Sequence, residues 1–318
     1  LTSKDNNAYL GILLRYAFFL GEIMINNINW YPGHMKKTRE LIQENLKAVD
    51  LVVEIVDSRI PLSSRNPIID ELISGKKRVV ILGKCDLADK RATDEWKAYF
   101  ESSGDIALPV DSRNGENIKA FYKILDKLQQ ERNKERSLRR PLRMMIVGVP
   151  NVGKSSFINR LIGKKSAKTG DRPGVTKGKQ WVTLENGMQL LDTPGILWPK
   201  FEDPHVGLNL AFCGSIKDEI LNVQDLAYEL LKVLRKNYPE ELIARYKLDG
   251  LMSDDEEGYN EYGEPLDPVL FDMEAIALKR GFIQSGKRID YERTGRAILD
   301  EFRAGIIGNI TLERPVLK

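Results

Sequence analysis

Gly148, Val149, Pro150, Asn151, Val152, Gly153, Lys154 and Ser155 follow the apolar run "LRMMIV" and precede "FINRL". The spacing G-x-x-x-x-G-K-S between a strand pattern and a helix pattern predicts a phosphate-binding loop. Glycines let backbone N–H groups converge on phosphate oxygens, and the helix start adds the positive end of a dipole. Val152, Gly153, Lys154, Ser155 and Ser156 then surround the phosphates. Lys154 neutralises the β- and γ-phosphates, and the Ser155 hydroxyl binds Mg2+.

Further along, "LLDTPG" places Asp192 at a strand end. Mg2+ keeps several of its waters, so Asp192 is expected to hold it through one. The Gly195 N–H is expected to meet the γ-phosphate. Between the two motifs, "DRPGVTKGKQ" supplies Thr176, which would close over the metal while the γ-phosphate is present and release after hydrolysis.

Guanine would be read by a strand-end Asn-Lys-x-Asp, whose carboxylate accepts bonds from N1 and N2 of the base. None follows "DTPG". The near match lies upstream, as Gly83, Lys84, Cys85 and Asp86, with Gly83 where Asn is expected. Losing one hydrogen bond there costs about 0.5–1.5 kcal/mol, which weakens affinity while Asp86 preserves the preference. Farther on, "PVDSRNG" offers Asp111, Ser112 and Arg113 as a second base loop with backbone contacts to guanine O6.

These loops need strands to carry them. Apolar runs at Ala48–Pro61, Lys77–Leu87, Ala107–Gly115, Leu142–Pro150 and Met188–Gly195 read as strands, several of them separated by helical patterns such as "TDEWKAYFESS" and "IKAFYKILDKLQQER". That alternation predicts an α/β fold with a mostly parallel sheet. From about Leu208 the strand signals stop, and "EILNVQDLAYELLKVLRK", "DMEAIALKRG" and "YERTGRAILDEFRAG" read as helices. The expected organisation is an N-terminal stretch at 1–23, read either as an extension upstream of a start at Met24 or as a packed helix, then a nucleotide domain at 24–207 and an all-helical domain at 208–318.

The chain has 318 residues, 42% hydrophobic and 30% charged, with a net charge of +3. That is ample for two cores and too weakly basic to establish a nucleic-acid partner by itself. Lys119–Arg143 is a basic stretch, with nine Lys/Arg against three Asp/Glu; it is either a solvated helix with its linker or an anion-binding surface. Cys85 and Cys213 form neither a metal spacing nor a disulfide framework, which fits a reducing cytoplasm. The apolar run Tyr9–Leu20 contains Arg15 and is shorter than the ~20 residues of a membrane span, so no membrane role is expected.

The motif order is base loop, second base loop, phosphate loop, switch Thr and DTPG. With "WYPGHMKKTRE", "DSRIPLSSRNP", "RPGVTKGKQW", "LLDTPGILWP" and "GLNLAFCGSI", it resembles the circularly permuted GTPases, and within them the ribosome biogenesis GTPase A (YlqF-type) family. The resemblance covers most of residues 28–240 and extends to the tail. It implies a P-loop GTPase fold in which the base-reading motifs come first. It further implies a monomeric bacterial cytoplasmic protein that binds GTP/GDP and Mg2+, joins the precursor of the large ribosomal subunit and its rRNA, and acts late in assembly.

The residue after D-x-x-G is Ile196, which cannot orient water. The resemblance points instead to His34 in "PGHMKK", an imidazole able to position the attacking water; a helix-capping or rRNA contact is the other reading. Resemblance to cation-activated GTPases makes Asn151 a K+ ligand, where a local turn bond is the alternative. Lys36, Lys37, Arg39, Arg59 and Arg65, with a second set of Lys287, Arg288, Arg293 and Arg296, are candidate RNA contacts. His205 reads as a linker residue. Two function classes remain: an assembly GTPase, and a nucleotide-gated RNA or protein scaffold with negligible hydrolysis.

Overall fold

The computed structural model describes residues 40, 42–73, 75–135, 140–163, 180–192, 203–218, 221–255, 259 and 265–316, without the side chains of Gln180 and Asp192. It divides into two compact units: one contains Glu202–Gly308, and the other consists of Asn29–Phe201 together with Asn309–Lys318.

The larger unit is built on a six-stranded sheet of β1 (Leu51–Asp57), β2 (Lys77–Gly83), β3 (Ile106–Val110), β4 (Arg143–Val147), β5 (Gln180–Thr183) and β6 (Gln189–Asp192), in the order β3-β2-β1-β4-β6-β5. β3, β2, β1, β4 and β6 pair in parallel. β1 is buried along its whole length, as its uninterrupted apolar run requires of a strand covered on both faces. β5 pairs antiparallel with β6 at the edge. The sequence reading missed it, although "ENG" marks the turn, with Gly187 at φ 78° and the Leu184 N–H bonded to the Met188 carbonyl.

The helices are α1 (Pro67–Leu72), α2 (Lys90–Ser102), α3 (Ile118–Glu135) and α4 (Lys154–Leu161). α2 starts where Asp89 caps the Ala92 N–H, and it buries Trp96 and Phe100 against Val56, Val80 and Leu82. Truncating such an aromatic side chain costs about 3–5 kcal/mol. A second cluster joins Ile42, Leu46, Val52, Ile69, Met145 and Leu191. Between Val52 and Val56, on the same side of β1, lies Glu54, buried and ion-paired with Arg65 and Arg78. Burial raises its pKa against the pull of both arginines.

Glu202–Gly308 contains α5 (Pro204–Phe212), α6 (Val223–Asn237), α7 (Pro239–Tyr246), α8 (Pro268–Arg280) and α9 (Tyr291–Arg303). α6 is held closely by α9: a Cβ on Gly295 would sit 3.0 Å from the Val223 carbonyl. Arg303 clamps Asp218, and Arg245 and Arg280 share Glu301. The unit is not purely helical. Ile283–Gln284 and Arg288–Ile289 form a small antiparallel hairpin, β7–β8, too short to show as a periodic strand pattern. His205, expected in a linker, instead lies in the first turn of α5, where its N–H bonds to Asp203.

The helical unit ends at Gly308, ten residues before the end of the chain, whereas the sequence reading ran it to 318. Residues 309–314 lie on the nucleotide unit as a strap without regular secondary structure. Its hydrogen bonds go to the loop after β1 and to the turn after β2. The Ile310 N–H meets the Leu87 carbonyl at 3.1 Å, and the Leu312 N–H meets the Arg59 carbonyl at 2.8 Å. Among the described residues no helix is long and apolar enough to cross a membrane.

Candidate active site

β4 runs into residues 148–153 and then into α4. Gly148 has φ 154°, and a Cβ there would lie 2.5 Å from the Ile55 carbonyl oxygen, so only glycine fits against β1. Asn151 and Gly153 both adopt left-handed conformations, at φ 59° and 101°; Asn tolerates that region better than most side chains. Lys154 opens α4 with its ammonium turned into the loop, donating to the Gly148 and Val149 carbonyls at 3.0 and 2.8 Å. Ser155 is partly buried and Ser156 exposed in the same first turn. The loop, a helix start and an ammonium held by main-chain carbonyls form an anion-binding cradle.

β2 carries the other side. It ends on Gly83, paired in register with Asp57 at the end of β1. An added Cβ at Gly83 would meet the Val152 carbonyl oxygen at 3.2 Å. The turn upstream in sequence is thus in main-chain contact with the phosphate loop about seventy residues later, as the rotated motif order requires. Lys84 is left-handed (φ 55°), and its ammonium donates to Asp57 Oδ2 at 2.9 Å. Asp86 lies in the single turn Cys85–Leu87 and is partly exposed. Burial and the nearby Asp111 charge raise its pKa. A carboxylate in that setting is short of donors, and two N–H groups from a base edge would supply them. Burial and the neighbouring Glu116 and Asp86 charges push the Cys85 thiol up to about 12, so it is no nucleophile at neutral pH.

In the second base loop, Asp111 is buried and accepts from the Arg113 and Asn114 N–H groups at 2.7 and 3.1 Å. Its carboxylate is used in folding the loop, while Ser112 is partly exposed and Arg113 exposed. Arg160 of α4 reaches the Asn114 carbonyl. The loop makes that reach possible through Gly115, at φ 84°, where a Cβ would collide with the guanidinium.

His34, Thr176 and Gly195, the basic residues Lys36, Lys37 and Arg39, and the Asp192 side chain lie outside the described residues. The main chain of Asp192 ends β6, next to β4. Among the described residues no group of three or more His, Cys, Asp or Glu could hold a metal. Mg2+ is held by one or two protein oxygens together with phosphates and water. The Ser155 hydroxyl at the start of α4 fits such a role.

Arg59 and Arg65 are not the RNA contacts expected of them. Arg59 is 1% exposed and grips Asp57 with Nε and Nη2 at 2.9 and 2.8 Å. Arg65 pairs with Glu54 and Asp70 and lies over the Phe100 ring. Buried carboxylates on β1 need partners, and these two arginines are among them. In the basic stretch, Arg132 and Arg140 likewise turn to Asp50. The hairpin set is different: Lys287, Arg288, Arg293 and Arg296 are all exposed.

Asp57, Glu313 and Thr311 were missed as contributors. Glu313 accepts from the Leu62 and Ser63 N–H groups at 2.7 and 3.0 Å, and its carbonyl accepts from Trp96 Nε1 at 3.0 Å. Thr311 Oγ1 accepts from the Asp89 N–H at 3.1 Å. For Glu313 and Thr311 the sequence neighbourhood gives no sign of it, because each of these partners is more than two hundred residues away.

Comparison with known proteins agrees with this geometry. Residues 143–249 match the family model described as 50S ribosome-binding GTPase. Ribosome biogenesis GTPase A of Bacillus cereus is 48% identical over 292 residues, covering 91% of this chain and 94% of that protein. The chain belongs to the ribosome biogenesis GTPase A family. It is a GTP hydrolase with a circularly permuted P-loop domain. The solved structures agree with that placement. The GDP-bound structure of YlqF covers 86% of this chain at 28% identity with a TM-score of 0.61, and GNP-bound YlqF from Thermotoga maritima covers 88% at 30% identity with a TM-score of 0.58. They span 99% and 98% of those chains.

Proposed function

We propose that this GTPase binds the maturing large ribosomal subunit and hydrolyses GTP to time its own release at a late assembly step. The observation that carries the reading is the close approach of Gly83 to Val152, which supports a base-reading turn and a phosphate cradle sharing one site. The family's name and the 50S ribosome-binding description of the matching model supply the partner.

In this reading Asp86 accepts from guanine N1 and N2, the Lys84 stem covers the base, and Ser112 and Arg113 line the O6 side. Asn151 to Ser156 enclose the phosphates, and Lys154 exchanges its loop carbonyls for phosphate oxygens. Ser155, Thr176 and Asp192, the last through water, hold Mg2+, which when bound offsets charge building on the phosphates. Gly195 senses the γ-phosphate, and His34 orients the water that attacks it. Asn151 would hold K+, which when bound would add charge stabilisation. Lys287, Arg288, Arg293 and Arg296, exposed around the β7–β8 hairpin, contact rRNA phosphates. The protein acts as a monomer in the cytoplasm.

The test is phosphate release by wild-type protein and His34→Ala, with and without large ribosomal subunits, in KCl and in NaCl at equal ionic strength. Expected are strong stimulation by the subunit, its loss in His34→Ala with GTP affinity retained, and faster turnover in KCl. GTP-dependent binding to the subunit with no stimulation would leave the protein a nucleotide-gated scaffold.

A further inference from the structure

Lys84 is held in a conformation that an L residue with a Cβ avoids, at φ 55° and ψ 34°. Strain of that kind persists only where the surroundings over-determine it. The surroundings are visible beneath it. The ammonium is bound to Asp57 Oδ2, and Asp57 is buried at the end of β1. The Asp57 carboxylate is fixed in turn by the Arg59 guanidinium through both of its oxygens, and by the Arg59 N–H at 3.1 Å. The Asp57 N–H donates to Ser64 Oγ at 2.9 Å. The Gly83 carbonyl, one residue before Lys84, accepts both the N–H and the hydroxyl of Ser58 at 2.9 and 2.8 Å. Residues 57–59 therefore grip the base-reading turn at two successive positions.

The same turn lacks the asparagine expected in its first position. The space where that side chain would begin is walled by main chain: a Cβ on Gly83 lies 3.2 Å from the Val152 carbonyl oxygen and 3.3 Å from that of Val56. A brace built upward from position 83 is absent, and a brace built from β1 beneath the turn is present.

We propose that Asp57 is the positioning residue of the base-reading turn, holding Lys84 for the purine through the buried Arg59–Asp57–Lys84 chain of charges in place of a brace from position 83. The proposal rests on the reading of Lys84 and Asp86 as base contacts. Lysine has a long, freely rotating stem, and a fixed ammonium removes most of that freedom before the nucleotide arrives. Lys84 remains partly exposed while Asp57 is not, so the stem is left available to a ligand and the anchor is shielded. Burial raises the Asp57 pKa, but the Arg59 and Lys84 charges outweigh it and hold the group well below the usual carboxylate range, so the anchor stays ionised throughout the physiological range.

The experiment is a double-mutant cycle on the full chain with Asp57→Asn, Lys84→Met and the pair. It reads GDP affinity by titration and inorganic pyrophosphate by competition, with Asp86→Asn as a control. Expected is about a tenfold loss of GDP affinity in each single variant, no further loss in the pair, and unchanged pyrophosphate competition. Additive losses, or equal losses for GDP and pyrophosphate, would overturn the proposal, because a general structural defect behaves that way. If Asp57→Asn does not fold, Lys84→Met decides: its stem still covers the base, so undiminished GDP affinity removes any role for the anchored ammonium. The control separates the two layers. Asp86→Asn should exchange guanine preference for xanthine, and if it does not, the underlying base-reading assignment fails whatever Asp57 does.

Discussion

At the phosphate end, residues 148–153 and the first turn of α4 make the site out of main chain, with Gly148, Asn151 and Gly153 supplying the unusual dihedrals and Lys154 bonding to carbonyls of its own loop. At the base end, Asp57 holds the Lys84 ammonium, Ser58 holds the Gly83 carbonyl, and the strap at 309–314 bonds to the Leu87 carbonyl. The first arrangement is local and depends on which residues lack a Cβ. The second is assembled across most of the chain and depends on charge. Perturbations should therefore fall on the two ends differently.

The largest effect is expected from Lys154→Ala. It removes the ammonium bonded to the phosphate-loop carbonyls, and turnover should drop about 100-fold or more in a phosphate-release assay. Guanine over xanthine preference should survive, because the base end is untouched. A change in base preference would show that the two ends are not separable.

Asp86→Asn should do the reverse and also act on stability. The Asp86 pKa is raised above its ordinary value of 3.8, first by burial and then by Asp111. A carboxyl raised in this way stabilises the fold below its unfolded pKa, and that contribution is lost as pH rises through the folded value. At neutral pH the charge is a burden, so Asp86→Asn should raise the Tm of the nucleotide-free protein while weakening GDP about tenfold or more. Asp57 has the opposite sign. Its pKa is depressed, so its contribution is present above 3.8 and is lost as pH falls toward the folded value. Lowering the pH should weaken GDP binding first and the fold later. Calorimetric GDP titrations and thermal melts across the same pH series would read both.

Ending the chain at Gly308 tests whether the strap belongs to the base end. It would orphan the Leu62 and Ser63 N–H groups and the Trp96 indole N–H, each a donor to Glu313. GDP should weaken about tenfold and pyrophosphate competition should hold. Equal weakening of both ligands would assign the strap to overall stability alone.

Gly115→Ala should have the smallest effect, about 1–2 kcal/mol by chemical denaturation. It forces a Cβ into left-handed backbone and against Arg160. Because Arg160 joins α4 to the second base loop, a small loss of affinity for GDP should accompany the destabilisation.

The parallel strands were legible because each is a nearly unbroken apolar run between helical patterns, and a strand covered on both faces can be little else. The phosphate loop was legible because its geometry is written in consecutive residues. β5 carried a readable signal in "ENG" but lies at an edge and is only four residues long. β7–β8, at two residues each, carries no periodicity to read. Arg59 and Arg65 look like surface cations in the sequence, since nothing in "DSRIPLSSRNP" shows that Asp57 and Glu54 point into the protein.

The order of motifs, the strand and helix patterns, and the residue types at the phosphate loop are fixed by the sequence alone, because glycine spacing and apolar period act over a few neighbours. Tertiary structure decided that Gly83 and Asp57 share a register, that Lys84 rests on a buried carboxylate, and that Leu312 bonds to the loop after β1. Those are contacts between groups far apart along the chain. Their energies depend on burial and on approach to within about 3 Å, and only the folded sheet sets both.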